Sequence, residues 1–173
     1  MCIAAIAWTF YQQRRDSSVV SIPVPTAGTK ALIALSKVHQ TATKDGSVQW
    51  ELDAASAELE AETGRMVLKA PKVQFYLDDG GKVHLTARWG ILFTHNNNIK
   101  VRGNVRVVND RYTLVAETLM YEHAQRRLYT NRPVTITSQA FDLSSAGMTY
   151  DLNTNRAQLD GDVNGIVHEK PAI

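Results

Sequence analysis

The side chains able to do chemistry are few and scattered along the chain. Its five histidines are His39, His84, His95, His123 and His168. A zinc site takes three or four ligands, with some at short spacing such as His-x-His on one strand face. No two of these histidines are placed in that way, so they read as solvated or turn residues. A metal oxygenase built on a jelly roll needs clustered histidines with a carboxylate and fails for the same reason. Asp78-Asp79-Gly80-Gly81 opens like a calcium loop but lacks the alternating oxygen ligands and the distal glutamate. It reads as a hairpin turn. No glycine-rich phosphate loop stands between a strand and a helix, and no serine has a nucleophile-elbow context. Cys2 is the single cysteine, which rules out an internal disulfide framework and a cysteine-rich zinc site. The chain offers no constellation for an enzyme, and no cofactor is expected.

Charge excludes a further class. Lys plus Arg total 19 and Asp plus Glu total 17, for a formal net charge of +2. There is no basic run and no interleaving of basic and aromatic residues, so no nucleic-acid partner is expected. At 173 residues the chain holds one domain, with or without an appendage, and can bury a substantial core.

What the sequence does carry is a repeated apolar pattern. Apolar or small residues stand at x, x+2, x+4, x+7 and x+9 in four copies. The copies are Trp50, Leu52, Ala54, Ala57, Leu59; Val83, Leu85, Ala87, Gly90, Leu92; Tyr112, Leu114, Ala116, Leu119, Tyr121; and Phe141, Leu143, Ser145, Met148, Tyr150. Their starts lie 33, 29 and 29 residues apart. Alternation by two marks a strand with one buried face. The three-residue step flips the phase once per copy, which a bulge or a corner does.

Return strands follow at 66–77, 99–108, 128–137 and 157–167. Each carries glycine or proline just before a core valine: Pro71-Lys72-Val73, Gly103-Asn104-Val105, Arg132-Pro133-Val134 and Gly161-Asp162-Val163. The first return strand flips phase between Ala70 and Val73; the other three do not. Turn signals recur at Lys44-Asp45-Gly46, Thr63-Gly64, Asp78 to Gly81, Asn96 to Asn98, Asn109-Asp110, Asn131 to Pro133 and Asn153 to Asn155. Ala31 to Lys37 reads as strand, and the chain is β throughout from Val38. A period near thirty also suits a solenoid. Antiparallel outgoing and return strands fit a jelly-roll-like sandwich better, and both give an open-ended β tunnel.

The N-terminus stands apart. Residues 1–11 are almost wholly apolar and are followed by Gln12-Gln13-Arg14-Arg15-Asp16. Eleven residues fall short of the roughly 20 that span a bilayer. The segment reads as the C-terminal part of a transmembrane anchor whose start lies upstream; a short apolar arm or a buried strand is the alternative. Residues 12–30, with Pro23, Pro25 and Gly28, read as a linker.

From Val38 onward the chain resembles the LptC family, the bitopic inner-membrane component of lipopolysaccharide export. The carrying residues are Asp45-Gly46, Val48 to Ala54, Ala57, Gly64 to Leu68 and Pro71-Lys72-Val73. They continue with Asp79-Gly80-Gly81, Leu85-Thr86-Ala87, Val101 to Val105, Tyr112 to Leu119 and Tyr121. The Gly-Asn-Val element also occurs in the related soluble protein LptA. The resemblance implies an all-β fold: a twisted, boat-shaped β-jelly roll of bent antiparallel strands over 31–170, in the periplasm, behind a partial membrane-anchor helix. It implies a groove that shelters acyl chains, with lipopolysaccharide passed from an inner-membrane ABC transporter to an LptA-like bridge protein.

Inward side chains near the corners are then the expected lipid contacts: Trp50, Leu52, Phe75, Leu85, Val105, Leu114, Val134, Ile136 and Leu143. Each is equally a candidate for ordinary core. The strand at 157–167 is the expected edge for LptA, and 32–43 the expected edge for the transporter. A soluble LptA-like bridge and a structural β-repeat protein without a ligand remain as alternatives.

Overall fold

The computed structural model describes residues 32–168. The anchor expected at 1–11, the linker at 12–30 and the outermost residues of the expected domain lie outside the described residues. Fourteen antiparallel strands join in one hydrogen-bonded network. They are β1 (Leu32–Lys44), β2 (Ser47–Glu60), β3 (Arg65–Lys69), β4 (Lys72–Tyr76), β5 (Lys82–Thr86), β6 (Trp89–Phe93) and β7 (Asn98–Val108). The rest are β8 (Tyr112–Glu122), β9 (Arg127–Thr130), β10 (Val134–Ser138), β11 (Phe141–Ser145), β12 (Gly147–Asp151), β13 (Arg156–Asp160) and β14 (Asn164–Val167).

The pairings resolve into two layers that share four long strands. One layer runs β1–β2–β4–β5–β7–β8–β10–β11–β14, and the other runs β1–β2–β3–β6–β7–β8–β9–β12–β13. Strands β1, β2, β7 and β8 bend from the first layer into the second. The bend is where the repeated pattern flips its phase. In β2 the buried residues step from Ala54 to Ala57, and in β8 from Ala116 to Leu119. In the second and fourth copies the chain breaks at the same point, between β5 and β6 and between β11 and β12. None of the pattern positions is exposed.

Register along this crease follows from which strands flip. Paired residues must point to the same side of a sheet. β2 flips, and so does the first return segment, where Ala70 takes φ 50° between β3 and β4. Trp50 pairs Phe75 and Ala57 pairs Leu68 in one unbroken register. β8 flips while β7 keeps its phase. The pairing therefore slips by one residue between Arg102 and Val105. The surplus residue is taken up at Gly103 and Asn104, with φ 79° and 49°. This is a bulge in the left-handed region, where glycine and asparagine are least strained.

Backbone bonds fasten the crease. Arg88 N–H donates to Gly103 O and Ala70 N–H donates to Arg88 O, each at 2.9 Å. The core lies between the layers. Trp50, Leu52, Phe75, Val83, Leu85 and Val105 face it from the first layer, and Met66, Leu68, Leu92, Ile99, Leu119 and Leu128 from the second. Phe75 meets Tyr121 across the gap with ring centroids 4.6 Å apart.

Candidate functional site

The interior is long, apolar and two-walled. All nine expected lipid contacts fall on one wall, that of the first layer. Trp50 and Leu52 lie on β2, Phe75 on β4, Leu85 on β5, Val105 on β7, Leu114 on β8, Val134 and Ile136 on β10, and Leu143 on β11. Trp50 pairs Phe75, Leu114 pairs Ile136, and Ile136 pairs Leu143, so the wall is continuous along the layer. Eight of the nine are buried, and Leu143 is half-buried. The indole N–H of Trp50 is buried without a hydrogen-bond partner among the described residues.

The opposite wall was not among the expected contacts. Ala57, Leu92, Leu119, Tyr121, Met148 and Tyr150 supply much of it. These are the x+7 and x+9 positions of the repeated pattern, so the signal was present. Periodicity showed that they face inward but not that they form a separate surface facing the first.

The two ends of the interior are apolar and uncapped among the described residues. Leu32 is 52% exposed and Ile33 39% exposed on β1 at one end. Val163, Ile166 and Val167 are 50%, 66% and 78% exposed at the other. Among the described residues β1 pairs only with β2, β13 only with β12, and β14 only with β11. Each therefore presents an unpaired edge. The expected single strand at 157–167 is two strands, β13 and β14, separated at Gly161 with φ 82°. One edge thus closes each layer.

Opposite the crease, the outer rims of the layers meet along a polar mouth. The first layer's β4–β5 turn carries Asp78 and Asp79. The second layer's β8–β9 turn carries Arg126, and its β12–β13 turn carries Asn155. Arg126 Nη1 donates to Asp78 Oδ1 at 2.6 Å, and Nη2 donates to the Tyr76 carbonyl. Asn155 Nδ2 donates to Asp79 Oδ2 at 3.4 Å. Among the described residues these are the side-chain hydrogen bonds that tie the two rims. Arg126 is buried, with its side chain 8% exposed, while that of Asp78 is 63% exposed.

The histidines lie outside the interior. His39 meets Asp53 at 2.9 Å and His168 meets Asp142 at 3.1 Å, both at exposed positions. His123 lies at the mouth beside the Tyr121 hydroxyl. Burial first, then the charges of Lys44 and Arg126, hold its imidazole below the ordinary value. Burial drives the Tyr121 phenol well above its own ordinary value. Among the described residues no helix is long and apolar enough to cross a membrane.

Residues 1–169 match the family described as lipopolysaccharide-assembly, LptC-related. The chain belongs to the LptC family. This LptC-family protein is therefore a non-enzymatic component of lipopolysaccharide transport. Its fold is shared with LptH, the LptA homologous periplasmic component of the conserved lipopolysaccharide transport device from Pseudomonas aeruginosa. The two superpose with a TM-score of 0.57 at 14% identity, over 69% of this chain and 95% of LptH. No curated protein sequence matches.

Proposed function

We propose that this LptC-family protein takes lipopolysaccharide from an inner-membrane ABC transporter and passes it to an LptA-like bridge protein, with the acyl chains held between the two layers. In this reading residues 1–11 belong to a single-pass inner-membrane anchor, 12–30 are its linker, and the β domain stands in the periplasm. The observation that carries the proposal is the pair of facing apolar walls, which run between two ends uncapped among the described residues and meet in a polar mouth.

The walls touch in the described state, so a guest must part them. The crease is continuous backbone and resists opening. The mouth is held by a few side-chain hydrogen bonds and yields first. Each acyl methylene moved from water to the interior gains about 0.8 kcal/mol, so a single chain of a dozen methylenes offsets a substantial loss of wall-to-wall contact. Sugars stay at the rim, in water. Unpaired strand edges at both ends suit backbone docking of a neighbouring domain of the same shape.

Photo-crosslinking side chains at Trp50 and Leu85 test this in cells, with Lys69 and Arg106 as outward-facing controls. The expected result is lipopolysaccharide capture several-fold above the controls at both inward positions. Equal yields at all four positions contradict the carrier role and leave a β-repeat protein with a solid core.

A further inference from the structure

The second layer's outer turns repeat with the strands. Each holds one residue in the left-handed region just before its return strand: Gly64 at φ 62°, Asn97 at 57°, Arg126 at 51° and Asn155 at 53°. Their spacings of 33, 29 and 29 residues match those of the apolar pattern. Glycine and asparagine tolerate this conformation; arginine has no such advantage. A residue that opposes its local geometry is a candidate for function.

Arg126 places a guanidinium across the mouth, against the Asp78 carboxylate and the Tyr76 carbonyl. Its Nε is buried without a partner among the described residues. The backbone of this turn is held from the β12–β13 turn, where the amide of buried Leu152 donates to the Arg126 carbonyl at 2.9 Å. The pair is asymmetric: the cation is enclosed in the second layer, and the anion is largely solvated on the first. Asp78, Asp79 and the Tyr76 carbonyl all belong to the first layer, so parting the layers takes both partners of the guanidinium away together.

We infer that Arg126 is both the clasp of the mouth and the seat of a phosphate on the lipopolysaccharide headgroup, which replaces the Asp78 carboxylate when the layers part. The inference rests on the carrier role proposed above. An amphiphile with its tails between the walls sets its headgroup at this rim. The planar guanidinium fork matches phosphate as it matches carboxylate.

The test uses the full chain with the Leu85 crosslinker. It is titrated with lipopolysaccharide, with the same material after enzymatic removal of its phosphates, and with inorganic phosphate as competitor. Arg126→Asn places in this turn the residue found at Asn97 and Asn155, so the turn itself is kept. Asp78→Asn frees the guanidinium and gives a second, independent variant. The wild-type chain is expected to prefer the phosphorylated form several-fold. Arg126→Asn is expected to lose that preference. Asp78→Asn is expected to bind the phosphorylated form several-fold more tightly, with a smaller gain for the stripped form, which profits from the loosened clasp alone.

A preference that survives Arg126→Asn, or an Asp78→Asn protein without the gain, overturns the assignment. Inorganic phosphate that protects Asp78→Asn against heat while the two lipopolysaccharides are not distinguished assigns the site to free phosphate and overturns it as well. Equal capture of both forms by the wild-type chain removes this inference and leaves the carrier role. Capture of neither removes the carrier role itself.

Discussion

Phe75→Ala is expected to lower the free energy of unfolding by about 3–5 kcal/mol. Phe75 is fully buried, with 0% exposure, and joins the two walls through its contact with Tyr121. Truncation removes the transfer free energy of the ring and leaves a cavity between layers that are fastened along the crease. The crease limits how far the walls can collapse into that space, which places the cost toward the upper part of the range. Urea unfolding measures it as a fall in midpoint with an unchanged slope. Val115→Ala, at a residue 45% exposed on the outside of β8, is the control and should stay within about 0.5 kcal/mol of the parent. A Phe75→Ala loss as small as that of the control contradicts the two-walled interior.

The double substitution Gln158→Pro and Ile166→Pro is expected to reduce affinity for a purified LptA-like partner at least tenfold. Gln158 is at the centre of β13 and Ile166 lies in β14, the last strand of each layer. Both positions are exposed and contribute nothing to the core. Proline removes one amide per strand. Whether that amide faces outward or toward the neighbouring strand, either the docking edge or its attachment is lost. Circular dichroism should show the rest of the sheet retained. Gln158→Lys should leave affinity nearly unchanged, because strand addition is carried by backbone rather than by side chains. Full affinity in the double proline variant contradicts docking at this end.

Much of this architecture was legible in the residues. The step from Ala54 to Ala57, and its counterpart from Ala116 to Leu119, marked the bend in each outgoing strand. Phase retained through Val101 and Val105 marked a return strand that does not flip. The slipped register at Gly103 and Asn104 is the consequence of one flipping and one non-flipping strand being paired. It needs both strands at once and so is invisible in either alone. The division of the interior into two walls was equally hidden. Leu52 and Leu119 both read as inward-facing, and alternation does not say which layer a strand half joins. All nine expected contacts therefore fell on one wall.

Arg126 was missed because it resembles no motif. Its trace was an absence: no glycine or asparagine closes the turn at His123 to Arg126, although Asn97 and Asn155 do so 29 residues to either side. A positive φ on a non-glycine residue costs of order 1–3 kcal/mol. The ion pair with Asp78 and the hydrogen bond to the Tyr76 carbonyl offset that cost in the closed state.

Methyl relaxation in the full chain, with lipopolysaccharide spin-labelled near the ends of its acyl chains, tests the central claim most directly. The spin label should broaden the methyl resonances of Leu52, Leu85 and Leu114 on one wall and of Leu119 and Leu128 on the other. Val115, on the outer face, should remain sharp. Broadening at Val115 with the five interior leucines unaffected would show that lipid rides on the outside of the sheet, and would contradict a carrier that holds acyl chains between its two walls.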